Sequence, residues 1–394
     1  MPLDVAAVQD ALKTEGLDAW LLYDFQGSNP IAYRMAGIGG NGGHLATRRW
    51  FYLIPASGAP KGIVHAIERH NLDHLPGTKA PYAGRAQLEE ALKTMLSGLS
   101  RVAMEYSPGN AIPYVSRVDA GTIEMVREAG VEVVTSGDLV QRFDGLWDEA
   151  AIASHREASD KLYRIKDAAF EAVTRRLRDE VATTEFDLQQ LMAGWFVDEG
   201  LVAGSAPNVS AQENAGNPHY LPTADQHRAI RRDELLLLDL WGKCNRPHSV
   251  YADITWVGFT GRSVPDRMTR AFAAIVEARD AAVNFVQAAA REGRTVRGFE
   301  LDRAARQVIE GAGYGAAILH RTGHSLGEEV HGNGAHLDDY ETHDERRLMR
   351  GSGFTIEPGV YFDDFGVRTE INVVWDADGP QVTGPCQTAL ISLV

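Results

Sequence analysis

Four acidic residues lie inside apolar, strand-like runs: Asp239 in LLLLDLW, Asp253 in YADITWV, Glu357 in FTIEPGVY and Glu370 in VRTEINVVW. A carboxylate in such a run costs several kcal/mol to bury unless a proton or a cation meets it. Near them in sequence stands His320-Arg-Thr-Gly-His324-Ser-Leu-Gly-Glu-Glu-Val-His331, three histidines around a glycine-flanked turn. Four acids of this kind together with a histidine read as a metal site. The competing reading is a solvated strand face.

Side chains along a strand alternate between faces. Tyr251, Asp253 and Thr255 therefore share a face, as do Arg368, Glu370 and Asn372, and Thr355 pairs with Glu357. Each acid in these three runs has a hydrogen-bonding residue two positions away, the arrangement that orients metal-binding carboxylates. One imidazole with four carboxylates is an oxygen-rich donor set. It suits Mn²⁺, with Zn²⁺, Co²⁺ or Fe²⁺ as competitors. Two divalent ions, roughly 3.5–4 Å apart and sharing bridging carboxylates, would balance the charge better than one.

The pattern before this region differs. Residues 3–15 read as a helix, AWLLYDF as a strand, and RRWFYLIP and GIVHAI as strands after a Gly-rich stretch, Gly37 to Gly43. The helix AQLEEALKTMLSGL, the strand SRVAMEYS, the helix DAGTIEMVREAG and the strand VEVVTSG continue the alternation, which predicts a small α/β domain with a parallel or mixed sheet. Around 141–157 the chain turns polar and enters a long helix near 149–180. The expected division is an N-terminal α/β domain over 1–150 and an α+β domain over 151–394. In the second, a helix near 184–199 leads to an irregular stretch, PNVSAQENAGNPHY, then two strands, helices near 264–292 and 298–312, the histidine turn and a final pair of strands.

At 394 residues the chain has room for two cores. A formal net charge of −15 argues against nucleic-acid or anionic-membrane partners. Two cysteines, Cys244 and Cys386, offer neither a disulfide framework nor a CxxC metal pair, and they fit a reducing compartment. The N-terminal segment lacks the basic and apolar regions of a signal peptide, and no apolar run approaches the ~20 residues a membrane span needs. A cytoplasmic location is expected.

The ordered set LLLLDLW, YADIT, HRTGHSLGEEVH, FTIEPGVY and GVRTEIN resembles the pita-bread metallopeptidases, the family of methionine aminopeptidases, Xaa-Pro aminopeptidases and prolidases. The resemblance covers about residues 156–394, and the N-terminal domain is similar to that of the prolidase, Xaa-Pro aminopeptidase and creatinase branch. It implies that Asp239 binds one metal and that Asp253 and Glu370 bridge both. His324 and Glu357 would complete the second. His219 in NPHY would contact substrate near the scissile bond, and His331 would hydrogen-bond the substrate carbonyl or amide. His320 would line the pocket, and Arg368 would support the site or meet a substrate carboxylate. A homodimer is also implied.

There are departures. The segment KCNRPHSV lengthens the Asp239–Asp253 separation and reads as a hairpin loop, with His248 a loop residue. The family's frequent Asp-Ile-Thr-Arg is Asp253-Ile-Thr-Trp256, and the usual His-Glu-x-Pro becomes His331-Gly-Asn-Gly. The other histidines, among them His155 and His336, read mostly as surface or loop residues. His44 beside the Gly-rich loop is an exception, because in this branch the N-terminal domain of one subunit approaches the active site of another.

The expected activity is hydrolysis of Xaa-Pro dipeptides. A dipeptidase must hold the free carboxylate with a cation, for which Arg368, Arg48 and Arg49 are the candidates. The alternatives are an Xaa-Pro aminopeptidase acting on longer peptides, a non-peptidase hydrolase or lyase on the same fold, and a binding module.

Overall fold

The computed structural model describes residues 3–38 and 46–394, so His44 and most of the Gly-rich stretch lie outside the described residues. The chain forms two compact units, Met1–Asp144 and Gly145–Val394.

In the first unit α1 (Val5–Glu15) starts where the Asp4 side chain accepts from the Ala7 N–H at 3.1 Å, and it stops at Gly16, whose φ of +62° suits glycine. Then follow β1 (Ala19–Asp24), α2 (Pro30–Ala36), β2 (Trp50–Pro55), β3 (Lys61–His65), β4 (Thr78–Tyr82), α3 (Arg85–Leu96), β5 (Arg101–Met104), α4 (Ala120–Glu128), β6 (Glu132–Thr135) and a short α5 (Gly137–Val140). The six strands form one mixed sheet in the order β4-β3-β2-β1-β5-β6. Apolar clusters cover both of its faces. Strand β4, TKAPY, escapes a sequence reading because Lys79 and Pro81 break its apolar pattern, which an edge strand tolerates.

The second unit opens with α6 (Glu149–Arg178), capped by the Asp148 side chain at the Ala151 N–H, and α7 (Glu185–Asp198), which has a Thr184/Asp187 capping box. The strands β7 (Leu201–Val202), β8 (Asn208–Ala211), β9 (Leu235–Cys244) and β10 (Ala252–Phe259) come next. Two features correct the sequence reading. The segment NVSA, expected to be irregular, is β8 and pairs with β9, and Lys243 and Cys244, expected in a loop, extend β9 and pair with β7.

Helices α8 (Asp266–Arg291) and α9 (Gly298–Gly311) precede the short β11 (Ser325–Leu326), β12 (Gly353–Ile356), β13 (Gly359–Tyr361), β14 (Gly366–Arg368), β15 (Ile371–Asp376), β16 (Gly379–Thr383) and β17 (Ile391–Ser392). Period-2 alternation in β9 and β10 organises the unit. Leu236, Leu238, Leu240, Ile254 and Trp256 pack with α6 and α7. Leu235, Leu237, Val257 and Phe259 pack with α8, α9 and β12. Asp239, Asp253 and Thr255 continue this second face, where the apolar core gives way to carboxylates. Among the described residues no helix is long and apolar enough to cross a membrane.

Candidate metal centre

Strand register brings the acids together. Thr255 on β10 lies opposite Asp239 on β9, and Thr355 on β12 lies opposite Asn372 on β15. Glu357 and Glu370 stand just outside strands, after β12 and before β15. Backbone hydrogen bonds fix both: the Glu357 N–H donates to the Thr322 carbonyl at 2.7 Å, and the Glu370 N–H to the Thr255 carbonyl at 3.3 Å. Ligand atoms of Asp253, His324 and Glu370 all lie within 4.8 Å of one another, and all three residues are buried.

The supporting contacts match the alternation in the sequence. The Thr255 hydroxyl donates to Glu370 Oε2 at 2.7 Å, and the Thr355 hydroxyl to Glu357 Oε1 at 3.1 Å. The Asp253 N–H donates to Asn372 Oδ1 at 2.9 Å, and the Asn372 amide donates back to the Asp253 carbonyl. His324 is held by its N–H on the Thr355 hydroxyl at 2.9 Å. Its Nδ1 lies 3.1 Å from the Ser325 carbonyl oxygen, which can only accept, so the ring proton belongs on Nδ1. The Nε2 lone pair then faces Asp253 Oδ2 at 3.7 Å and Glu357 Oε1 at 3.4 Å.

Arg368 supplies positive charge. Its Nη2 pairs with Asp239, its Nε donates to the Thr255 hydroxyl at 2.9 Å, and its Nη1 donates to the Tyr361 hydroxyl at 3.3 Å. His320 Nε2 lies 2.7 Å from the same tyrosine oxygen. His320 therefore reaches Asp239 through Tyr361 and Arg368. Tyr361 escaped the sequence reading; its position in GVY at the end of the Glu357 run is the one signal for it. The fork of Arg368 is committed inside the cage, where a free substrate carboxylate would have to compete with Asp239.

His331 stacks edge-on against His324 with ring centroids 4.3 Å apart. Desolvation, then the neighbouring His324 and the Arg321 guanidinium, push its pKa below the ordinary histidine range, and His219 adds to the effect. His219 is exposed, with its N–H on Asn217 Oδ1 at 3.0 Å. Two histidines expected at the surface are fully buried. His336 Nδ1 accepts from the Ser325 N–H at 3.0 Å, directly beside His324. His155 lies with Nδ1 2.8 Å from the Tyr251 carbonyl and Nε2 2.9 Å from the Thr383 hydroxyl, tying α6 to β16 and to the residue before β10.

Charge tests whether these residues fit divalent ions. Burial first, then Glu370, Asp239 and Glu357, push the Asp253 carboxyl well above the usual carboxylate range. Burial and neighbouring carboxylates do the same to Glu370, and burial raises Asp239 against the pull of Arg368. Asp253 Oδ1 is buried without a hydrogen-bond partner. One arginine cannot balance four acids, and Asp253 leaves Oδ1 unpartnered while its Oδ2 faces an imidazole lone pair, both unfavourable until a cation meets them. The donor set, one imidazole nitrogen with carboxylate oxygens, fits hard or borderline divalent ions.

The sequence profile of metallopeptidase family M24 matches residues 157–377. The chain belongs to this family. The second unit has the family's pita-bread fold, and the N-terminal unit is α/β. The chain is 29% identical over 233 residues to an Xaa-Pro dipeptidase of Lactobacillus delbrueckii subsp. lactis, a match covering 59% of this chain and 57% of that relative. It thus spans little more than half the length of that curated relative. In structure it is similar to dipeptidase PepE of Mycobacterium ulcerans, with a TM-score of 0.66 and 22% identity over 99% of this chain and 96% of that one. It is also similar to the X-Pro aminopeptidase of Thermotoga maritima, with a TM-score of 0.59 and 20% identity over 99% of both chains.

Proposed function

We propose that this M24 chain is a metal-dependent Xaa-Pro dipeptidase. Asp239, Asp253, His324, Glu357 and Glu370 would hold two divalent ions, Mn²⁺ before Zn²⁺, Co²⁺ or Fe²⁺. The observation that carries the reading is the surplus of buried carboxylate charge around the His324 Nε2 lone pair. Bound there, such ions supply Lewis acidity and water of lowered pKa.

The chain's own groups supply the rest. Glu357 keeps 13% side-chain exposure and has its Oε1 oriented by Thr355. It would accept the proton of the attacking water and pass it to the leaving proline nitrogen. His331, held neutral, can donate one N–H to the developing oxyanion but carries no surplus proton, so it stabilises charge rather than protonating the leaving group. His219 would add a second donor. His320 would form part of the wall that fits the proline ring by shape, because a tertiary Xaa-Pro amide has no N–H to recognise. The partner is a small proline-containing peptide, and the working form is a homodimer in the cytoplasm.

One observation favours a second reading, an Xaa-Pro aminopeptidase acting on longer peptides. Arg368 is committed to Asp239, Thr255 and Tyr361, and is not free to grip a dipeptide carboxylate. Assaying Xaa-Pro against Xaa-Pro-Yaa with each metal separates the two. The dipeptidase reading expects the dipeptide to be cleaved faster; rapid turnover of the tripeptide alone would overturn it, and cleavage of neither would point to a non-peptidase on this fold.

A further inference from the structure

The N-terminal unit carries a cavity of about 950 Å³ whose lining includes Arg48 and Arg49 but none of the carboxylate-cage residues. It opens where β1, β3 and β4 end, at Tyr23, His65 and Tyr82, and lies between α3 and α4. In open α/β sheets the carboxyl ends of strands are where ligands bind.

Its cationic wall is held in place. The Glu68 carboxylate accepts from the Thr47 N–H at 2.9 Å and the Arg48 N–H at 3.2 Å. The Tyr82 hydroxyl donates to the Arg49 carbonyl at 2.9 Å. These bonds fix the backbone that projects Arg49, whose guanidinium lies by the Tyr23 and Tyr82 hydroxyls. Among the described residues neither Arg49 nor Lys93 has an ion-pair partner, whereas Arg85 is paired with Glu89 at 2.6 Å. A half-buried arginine with fixed backbone and no carboxylate is poised for an external anion. On the opposite wall Asp119 is consumed internally: it caps α4 at the Thr122 N–H at 2.9 Å and accepts the Tyr23 hydroxyl at 3.0 Å. Glu124 and Glu128 of α4 stay exposed and available to a cation. Tyr23, Phe25 and Met125 supply apolar surface.

We propose that this cavity binds a small zwitterion with an apolar body, a free amino acid or short peptide. Its carboxylate would lie on Arg49 with help from Lys93, and its ammonium would face Glu124 and Glu128. All the lining residues belong to the N-terminal unit, and the proposal assigns Arg49 to this ligand instead of to the carboxylate of a dipeptide in the carboxylate cage.

The test is calorimetric titration of the full chain with L-leucine, beside leucinamide, which lacks the carboxylate. Saturable leucine binding is expected, with leucinamide at least tenfold weaker. Arg49→Met should weaken leucine at least tenfold and Lys93→Met several-fold, so one misfolded variant does not decide the matter. Glu370→Ala should leave leucine binding as it is. Absence of saturable leucine binding, equal binding of leucinamide, or binding that follows Glu370→Ala instead of Arg49→Met would each overturn the proposal.

Discussion

Two buried polar clusters flank the histidine turn, and they are built on opposite terms. In one, Asp302, Asp338 and Asp344 are fully buried and fully partnered. Asp344 takes the Arg346 guanidinium on both oxygens and the His336 N–H at 2.8 Å. Asp338 Oδ1 accepts the N–H groups of Tyr340, Glu341 and Thr342, and its Oδ2 accepts the Thr342 hydroxyl. Asp302 Oδ1 accepts the Thr322 N–H and hydroxyl, and Oδ2 the Asp339 N–H. In the other cluster four carboxylates share Arg368, and Asp253 Oδ1 has no partner. The first cluster completes its own bonding and holds the 321–346 segment in shape. The second is incomplete as a purely protein structure, and that incompleteness is its chemical content.

The sharpest way to break this contrast is to remove an acid from each side. Glu370→Ala should lower peptidase activity on the order of 10³-fold, above the 10–100-fold typical of losing a residue that only orients a ligand. Without metal the same variant should be at least as stable as the parent, because a repelling charge is gone. Folded-state carboxyl pKa values raised at Asp253 and Glu370 mean that these two groups penalise the metal-free parent least below the unfolded carboxylate pKa, about 4. Their contribution to stability falls as pH rises through that value towards the raised ones. Glu370→Ala should flatten that slope in urea titrations. Equal slopes would contradict the account.

Asp344→Ala should do the reverse. It strands Arg346, which is 4% exposed, and should cost about 3–5 kcal/mol of unfolding free energy.

A smaller effect belongs to His155, whose pKa burial lowers to about 4 from 6.5. As pH falls from 6.5 to 4 the folded state resists the proton that the unfolded chain takes up. About 3 kcal/mol of stability should be lost in that window. The stability difference between parent and His155→Gln, followed by denaturant melts, should shrink accordingly, whereas a constant difference would sink the claim.

The mildest change is Asn372→Ala, which frees the Asp253 backbone. Metal affinity should drop about 10–100-fold, with Asp344→Ala serving as the comparison.

The carboxylate cage could be read early because burial of an acid is costly and strand period is 2. Leu238 and Leu240 on either side of Asp239, and Thr255 two places from Asp253, were visible in the order of residues alone. What stayed hidden depended on contacts distant in sequence. His155 and His336 look like loop histidines until Tyr251, Thr383 and Ser325 are brought to them. The NVSA strand is too short and polar to announce itself, and exists because β9 offers it an edge. Arg368 looked free to meet substrate, since nothing in GVRTE says that Asp239 and Tyr361 will occupy its fork.

The most direct measurement is the metal content of the purified chain after loading with Mn²⁺ and removal of free ion. The account predicts two ions per chain in the parent and fewer in Glu370→Ala and His324→Ala, with binding raising the unfolding free energy by ~2.7 kcal/mol at a hundredfold excess over Kd. A stoichiometry near zero, with the parent no more stable in the presence of metal, would contradict it.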